Sequence, residues 1–310
     1  MTLLLLFVSH SSFLTTNFSL FSRASAEKYT IAWLSDTQTY YNETLPVFFS
    51  MTEYIAEMKD ELNIKYVVHT GDVVGMPKRD RFRDAYDALS VMGIPYGVLP
   101  GNHDQLDDGT ARQFLYVFPP LESNAELGIE RGSFEEGMCR YDALRIGSVD
   151  FLFVYIAYPG LTAARVNWAN EVIASHPFHV VFLCTHEYLT PSSTYMTTGE
   201  KLQEKVAAVN ENVFMTLCGH INNVDTIAST FDDGWQTRTV YNSVANFQYM
   251  FDKDWKLGGG FIRFIEIDEE AGTLRLYSYS PWHDEYMQIL AKAKTQTDTL
   301  DIPWIEFSLK

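Results

Sequence analysis

Five times in this chain an apolar run suited to a β-strand stops at a side chain able to hold a metal ion. Runs at 29–34, 66–69, 96–99, 180–184 and 213–218 lead into Ser35-Asp36, Gly71-Asp72, Gly101-Asn102, Thr185-His186 and Gly219-His220. One such residue is ordinary turn chemistry, since Asp and Asn favour turns on their own account. Five in order describe strands whose carboxyl ends share an edge, which is where α/β sheets gather their ligands.

Helical patterns separate these strands. Val47, Met51, Tyr54, Ile55, Met58 and Leu62 recur at spacings of three and four, predicting a helix over 45–62. Phe82, Ala85, Tyr86 and Leu89 do the same for 79–92, and Val166, Ala169, Val172 and Ile173 for 163–175. A further helix is expected at 199–209 and a strongly apolar strand at 151–156. The last third changes period: 237–241, 261–267, 273–279 and 304–309 alternate with period two, as half-buried antiparallel strands do. The fold class expected is α/β, with two packed mixed β-sheets flanked by helices in a four-layer α/β/β/α sandwich. No Pro/Gly/Ser linker divides the chain, so one domain is expected over 27–310, with an irregular insertion at 105–140.

Residues 1–26 read as a cleaved export signal. Leu3 to Val8 are apolar, and Ala24-Ser25-Ala26 supplies a small-residue cleavage pattern before Glu27, although no Lys or Arg precedes the apolar run. The chain is therefore expected to be secreted or extracytoplasmic, with no transmembrane segment after cleavage. The net charge of −17 argues against binding nucleic-acid backbones but not against a small phosphorylated substrate, because bound metals would dominate the local field. Three cysteines, Cys139, Cys184 and Cys218, make no disulfide framework. Cys184 and Cys218 are read as buried thiols, with a bridge open if their strands are neighbours.

The runs Ser35-Asp36-Thr37-Gln38, Gly71-Asp72, Gly101-Asn102-His103-Asp104, Thr185-His186-Glu187 and Gly219-His220-Ile221-Asn222 resemble the five blocks of the calcineurin-like metallophosphoesterases. The resemblance implies a secreted metal-dependent hydrolase of phosphate esters holding two divalent metal ions, with Asp72 bridging them. One ion would take Asp36, Gln38 and Asn222; the other would take Asn102, His186 and His220. His103 would face the leaving group as general acid, with Asp104 orienting its imidazole. Water activated between the ions would attack phosphorus in line. The family usually carries His where this chain has Gln38 and Asn222. Both departures fall on one ion, leaving it an oxygen-only shell suited to Mg, Mn or Ca and weakly held, while the other suits Mn, Fe or Zn. The same departures support an alternative, a catalytically weak or inactive binding protein on this fold.

Other polar residues have plainer readings. His69 is a core or near-site histidine, His176 and His179 are loop residues expected at the surface, and Glu187 faces either the site or solvent. Tyr40, Tyr41, Tyr158, Tyr188 and Tyr195 pack loops or line a cleft.

Overall fold

The computed structural model describes residues 28–158, 161–232, 237–249, 259–291 and 294–304. The proposed signal and the strand expected at 304–309 beyond Trp304 lie outside the described residues.

In chain order the elements are β1 (Lys28–Leu34), α1 (Leu45–Met58), β2 (Ile64–His69), α2 (Arg79–Ser90), β3 (Tyr96–Val98), α3 (Arg112–Val117), β4 (Ile129–Phe134), β5 (Cys139–Ile146) and β6 (Val149–Ile156). There follow α4 (Ala163–Ser175), β7 (Val180–Thr185), α5 (Thr197–Leu202), β8 (Val213–Cys218), β9 (Val224–Asp232), β10 (Thr237–Ala245), β11 (Ile262–Asp268), β12 (Thr273–Ser280), β13 (Glu285–Tyr286), β14 (Gln288–Ala291), β15 (Lys294–Thr297) and β16 (Leu300–Pro303).

One sheet runs β13-β12-β11-β1-β2-β3, with β16 also paired to β12; the second runs β4-β5-β6-β7-β8-β10-β9. Both have parallel centres, β1-β2-β3 and β6-β7-β8-β10, and antiparallel flanks. The first sheet draws strands from both ends of the described chain, whereas the second is built from the consecutive strands β4 to β10 that lie between them in sequence.

Side-chain alternation explains the layering. On β1, Tyr29, Ile31 and Trp33 face the second sheet and join Phe151, Phe153, Phe182 and Phe214 in the core between the sheets. Ala32 and Leu34 face the other way, onto Phe48, Met51 and Ile55 of α1 and Phe82, Ala85 and Leu89 of α2. Leu152, Val154, Val181 and Leu183 turn their backs on the inter-sheet core and pack with Ala169, Val172 and Ile173 of α4. A central strand covered on both faces must be apolar at nearly every position, as β1, β7 and β8 are. Four layers, helices–sheet–sheet–helices, follow.

Several boundaries differ from the sequence reading. The span 105–140 is not irregular throughout, for it contains α3, β4 and the start of β5. The first helix ends at Met58, and Asn63 turns the chain with φ 49°. The helix near 199–209 begins at Thr197 and widens into a π-turn at Gln203–Ala207. β10 runs four residues past Tyr241, and β9 beside it was not anticipated.

Cys184 and Cys218 lie on neighbouring strands but cannot bridge. In the parallel register Cys184 stands opposite Leu217, so Cys218 is one step out of phase and points to the other face. Cys184 belongs to the inter-sheet core, Cys218 to the helix-covered face, and both are free.

Candidate metal centre

The carboxyl ends of β1, β2, β7 and β8 meet along one edge of the two-sheet sandwich. Turns there throw side chains back over the sheet ends. Asp36, Asp72 and His220 all adopt the left-handed region, with φ of 53°, 53° and 70°. Such conformations cost non-glycine residues of the order of 1 kcal/mol, least for Asp, Asn and His, and they cluster where a side chain must be aimed. The glycines beside them are required by close approach. A Cβ on Gly101 would lie 2.2 Å from Asp72 Oδ1, and one on Gly219 would lie 2.1 Å from Asp36 Oδ2.

Four ligand-type atoms from three turns and one strand end converge. His186 Nε2 lies 3.0 Å from Asn102 Oδ1 and 3.2 Å from Asp72 Oδ2, and His220 Nδ1 lies 2.9 Å from the same Asn102 oxygen. The ligand atoms of Asp72, His186 and His220 all fall within 4.8 Å of one another. His186 Nδ1 donates to the Thr70 carbonyl at 2.9 Å, which fixes the ring and turns Nε2 inward. An imidazole anchored through its second nitrogen to a carbonyl is the usual support of a metal-bound histidine. The donor set of two imidazoles, one amide oxygen and one carboxylate fits a divalent transition metal.

Asp36 is buried beneath this cluster. Its carboxylate accepts from the His220 N–H at 3.1 Å and from Ser35 Oγ at 2.5 Å, while Thr70 Oγ1 in turn donates to Ser35 Oγ and accepts from Trp33 Nε1. Gln38 is also buried; its Nε2 donates to Asp72 Oδ2 at 3.2 Å and to Gln248 Oε1. His69 is buried and bonded to Thr37 Oγ1 and the Gly71 N–H, so it braces two site turns rather than joining the ligands.

Two expected roles do not survive the geometry. Asp104 does not orient His103. Its carboxylate, fully buried, accepts the backbone N–H groups of Val73, Val74 and Gly101 at 3.0, 3.0 and 2.8 Å. It ties the loop after β3 to the loop after β2, thereby setting Asn102 against Asp72. Asn222 is exposed and, among the described residues, makes no hydrogen bond to the cluster. The residue missed by sequence reasoning is Gln248, buried just past the end of β10. Because β10 runs parallel to β8, it ends on the same edge as the other site strands.

His103 is exposed, and its backbone N–H donates to Asp72 Oδ1 at 2.8 Å. Tyr158 stacks over His220 with ring centroids 6.2 Å apart and meets His186 edge-on at 6.4 Å, so this tyrosine borders the site. Tyr188 and Tyr195 instead bond into a buried network with Asn242. His176 is buried rather than at the surface, its Nδ1 donating to the Val172 carbonyl.

Comparisons agree with this geometry. The calcineurin-like phosphoesterase family model matches residues 29–223. The chain belongs to the calcineurin-like phosphoesterase family. The uncharacterized protein YvnB of Bacillus subtilis (strain 168) is 34% identical over 265 residues, covering 83% of this chain and 20% of that protein. A probable glycerophosphodiester phosphodiesterase, GpdQ, of Arcobacter nitrofigilis is 24% identical over 166 residues, covering 52% of this chain and 57% of its own length. The chain thus spans a fifth of the first relative and little over half of the second. In fold it is similar to the purple acid phosphatase PPD1 from yellow lupin (Lupinus luteus) seeds, with TM-score 0.56, 13% identity, and coverage of 90% of this chain and 54% of that one. Calcineurin-like phosphoesterases act on phosphate esters with divalent metal ions, and the converged cluster is the candidate place for them here. No helix among the described residues is long and apolar enough to cross a membrane.

Electrostatics at the centre suit cation binding. Burial works against a charged His186, but the Asp72 and Asp36 carboxylates outweigh it and raise its pKa to about 9. Burial likewise works to raise Asp72, but His186 and the His103 N–H hold it below the usual carboxylate range. Burial raises Asp36 and Asp104 to about 7, each pushed further by Asp72. Burial and the His186 charge lower His220.

These shifts fix a pH dependence. The folded pKa values of His186, Asp36 and Asp104 all stand above their unfolded values, so the stability each contributes is present at low pH and lost as pH rises through the folded pKa. Chelator-treated protein is therefore expected to lose thermal stability from about pH 4 to 7 through Asp36 and Asp104, and on to about pH 9 through His186. Added Mn²⁺ is expected to reverse the loss, because a cation takes over the proton's task among the same atoms. Thermal scans across that range, with and without Mn²⁺, check both statements.

Asp104→Ala leaves three buried N–H donors without an acceptor. Each costs roughly 1–3 kcal/mol, partly offset by relief of repulsion with Asp72. A fall in Tm of about 5–10 °C is expected in a calorimetric scan. Lost activity at unchanged Tm would instead point to a direct role in the chemistry.

Proposed function

We propose that this chain is a secreted phosphoesterase that hydrolyses small phosphate esters at a two-metal centre bridged by Asp72. The observation that carries the reading is the meeting of Asp72 Oδ2, Asn102 Oδ1, His186 Nε2 and His220 Nδ1 at one point. These four would hold one ion, and Asp36, Gln38 and the shared Asp72 would face a second. Divalent ions at such a centre neutralise phosphoryl charge and lower the pKa of water to near 7.

The chain's own residues supply the rest. Thr70 fixes the His186 tautomer, and Asp104 holds the Asn102 turn against the Asp72 turn. The exposed His103 imidazole stands at the mouth of the site, where it can give a proton to a departing alkoxide. Its backbone, bonded to Asp72, keeps it in register with the ions' shared carboxylate. The probable phosphodiesterase among the relatives favours diesters as substrates.

Release of nitrophenol from bis(nitrophenyl) phosphate and nitrophenyl phosphate, with added Mn²⁺, tests the reading. Turnover of either supports it; none with Mn²⁺, Mg²⁺, Zn²⁺, Ca²⁺ or Fe²⁺ contradicts it. That last result would favour a binding protein on this fold, which is the reading that Gln38 and the exposed Asn222 support. Export is proposed on the N-terminal sequence alone. Chain recovered from culture medium is expected to begin at Glu27, and an intact Met1 terminus would oppose cleavage.

A further inference from the structure

Gln38 carries a contradiction. It is 5% exposed, its Nε2 is held between Asp72 Oδ2 and Gln248 Oε1, and its Oε1 is buried without a partner. A buried amide oxygen left unbonded costs roughly 1–3 kcal/mol, so a side chain so placed is one whose oxygen has another use. Gln248 is 7% exposed and is itself fixed: its N–H donates to Asn246 Oδ1 at 2.9 Å, and the Asn246 N–H donates to the Asn223 carbonyl at 3.0 Å. Its Oε1 therefore arrives at Gln38 on a braced turn, not a loose one.

We infer that Gln248 is a ligand of the second cation site, and that Gln38 and Gln248 form an amide pair in which Gln38 turns over when the cation binds. Without a cation, the Gln38 NH₂ sits between two oxygens and neutralises their mutual repulsion. A half-turn of that amide replaces NH₂ by Oε1. Gln38 Oε1, Gln248 Oε1 and the carboxylates of Asp72 and Asp36 then surround one position with oxygens alone. Three or four oxygens so gathered repel one another unless a cation lies among them. Hard divalent ions such as Mn²⁺, Mg²⁺ and Ca²⁺ prefer this donor set, whereas the imidazole-rich neighbour takes the same ion more tightly. Gln248 thus fills the place expected of Asn222, which is exposed and, among the described residues, makes no hydrogen bond to the cluster. The inference rests on the phosphoesterase reading and goes beyond it in naming this ligand.

The test is Mn²⁺ binding by the full chain, followed by the electron paramagnetic resonance of the free ion. Wild type is expected to bind one ion tightly and a second more loosely. Gln248→Leu is expected to weaken the looser ion by about tenfold or more and leave the tighter one unchanged. Gln248→Glu, which adds a charge at the same oxygen, is expected to tighten the looser ion by about tenfold, a gain that misfolding cannot produce. Unaltered binding of the looser ion in both variants overturns the inference and leaves the phosphoesterase reading standing; a wild type that binds one tight ion only overturns the inference and the two-metal form of that reading together. If wild type lacks the tighter ion, or keeps it after His186→Ala, the reading itself falls and this inference falls with it.

Discussion

Replacing Asp72 by Asn is expected to lower phosphoesterase turnover by about 10³-fold or more and to strip the protein of most of its bound metal. Asp72 faces both halves of the site: its Oδ2 meets His186 and Gln38, and its Oδ1 accepts the His103 N–H. At the proposed two-metal centre, removing its charge would leave the cations without the carboxylate that offsets their repulsion. A thousandfold loss corresponds to about 4 kcal/mol of transition-state stabilisation, within what metal-assisted charge neutralisation provides. Asn is the informative substitution because the position has φ 53°, which Asn tolerates as Asp does. The circular dichroism spectrum should therefore be unchanged while metal content, measured by elemental analysis, and turnover fall together. Normal turnover in this variant would remove Asp72 from the centre of the account.

His103→Ala is expected to show a different pattern. A general acid contributes about 10²–10⁴-fold when the leaving group is a poor one, such as an alkoxide. Nitrophenolate departs without a proton, so the variant should keep most of its rate on nitrophenyl esters while losing that factor on alkyl esters. The imidazole is exposed, and the Asp72 contact uses the backbone N–H, which Ala retains. Metal content should thus match wild type. Loss of metal would make His103 a ligand rather than a proton donor.

The strand-end residues were legible because the turn signal and the ligand were the same letters. Gly71-Asp72 and Gly219-His220 each end an apolar strand, and each proves to be a left-handed turn aimed across the sheet edge. The two-sheet sandwich was likewise legible, since β1, β7 and β8 are apolar on both faces and the C-terminal strands alternate. What remained hidden was set by contacts distant in sequence. Asn242 and Ser243 look like the end of β10, but Tyr188, Gln203 and Thr226 satisfy them, and the strand continues to Ala245. That extension is what delivers Gln248 to the site edge. β9 lies at the sheet edge with alternate residues in solvent, so its polar letters read as loop. Asp104 follows His103 in the chain, and the family resemblance implied that it orients that imidazole. In the folded turn its carboxylate points instead at three amides, which no local pattern announces.

The shared-carboxylate account is tested most directly by anomalous diffraction from crystals grown with Mn²⁺. It predicts a strong peak within about 2.0–2.3 Å of Asp72 Oδ2, Asn102 Oδ1, His186 Nε2 and His220 Nδ1, with a weaker peak on the Gln38 side of Asp72. Density for manganese elsewhere on the molecule, with none touching Asp72, would contradict it.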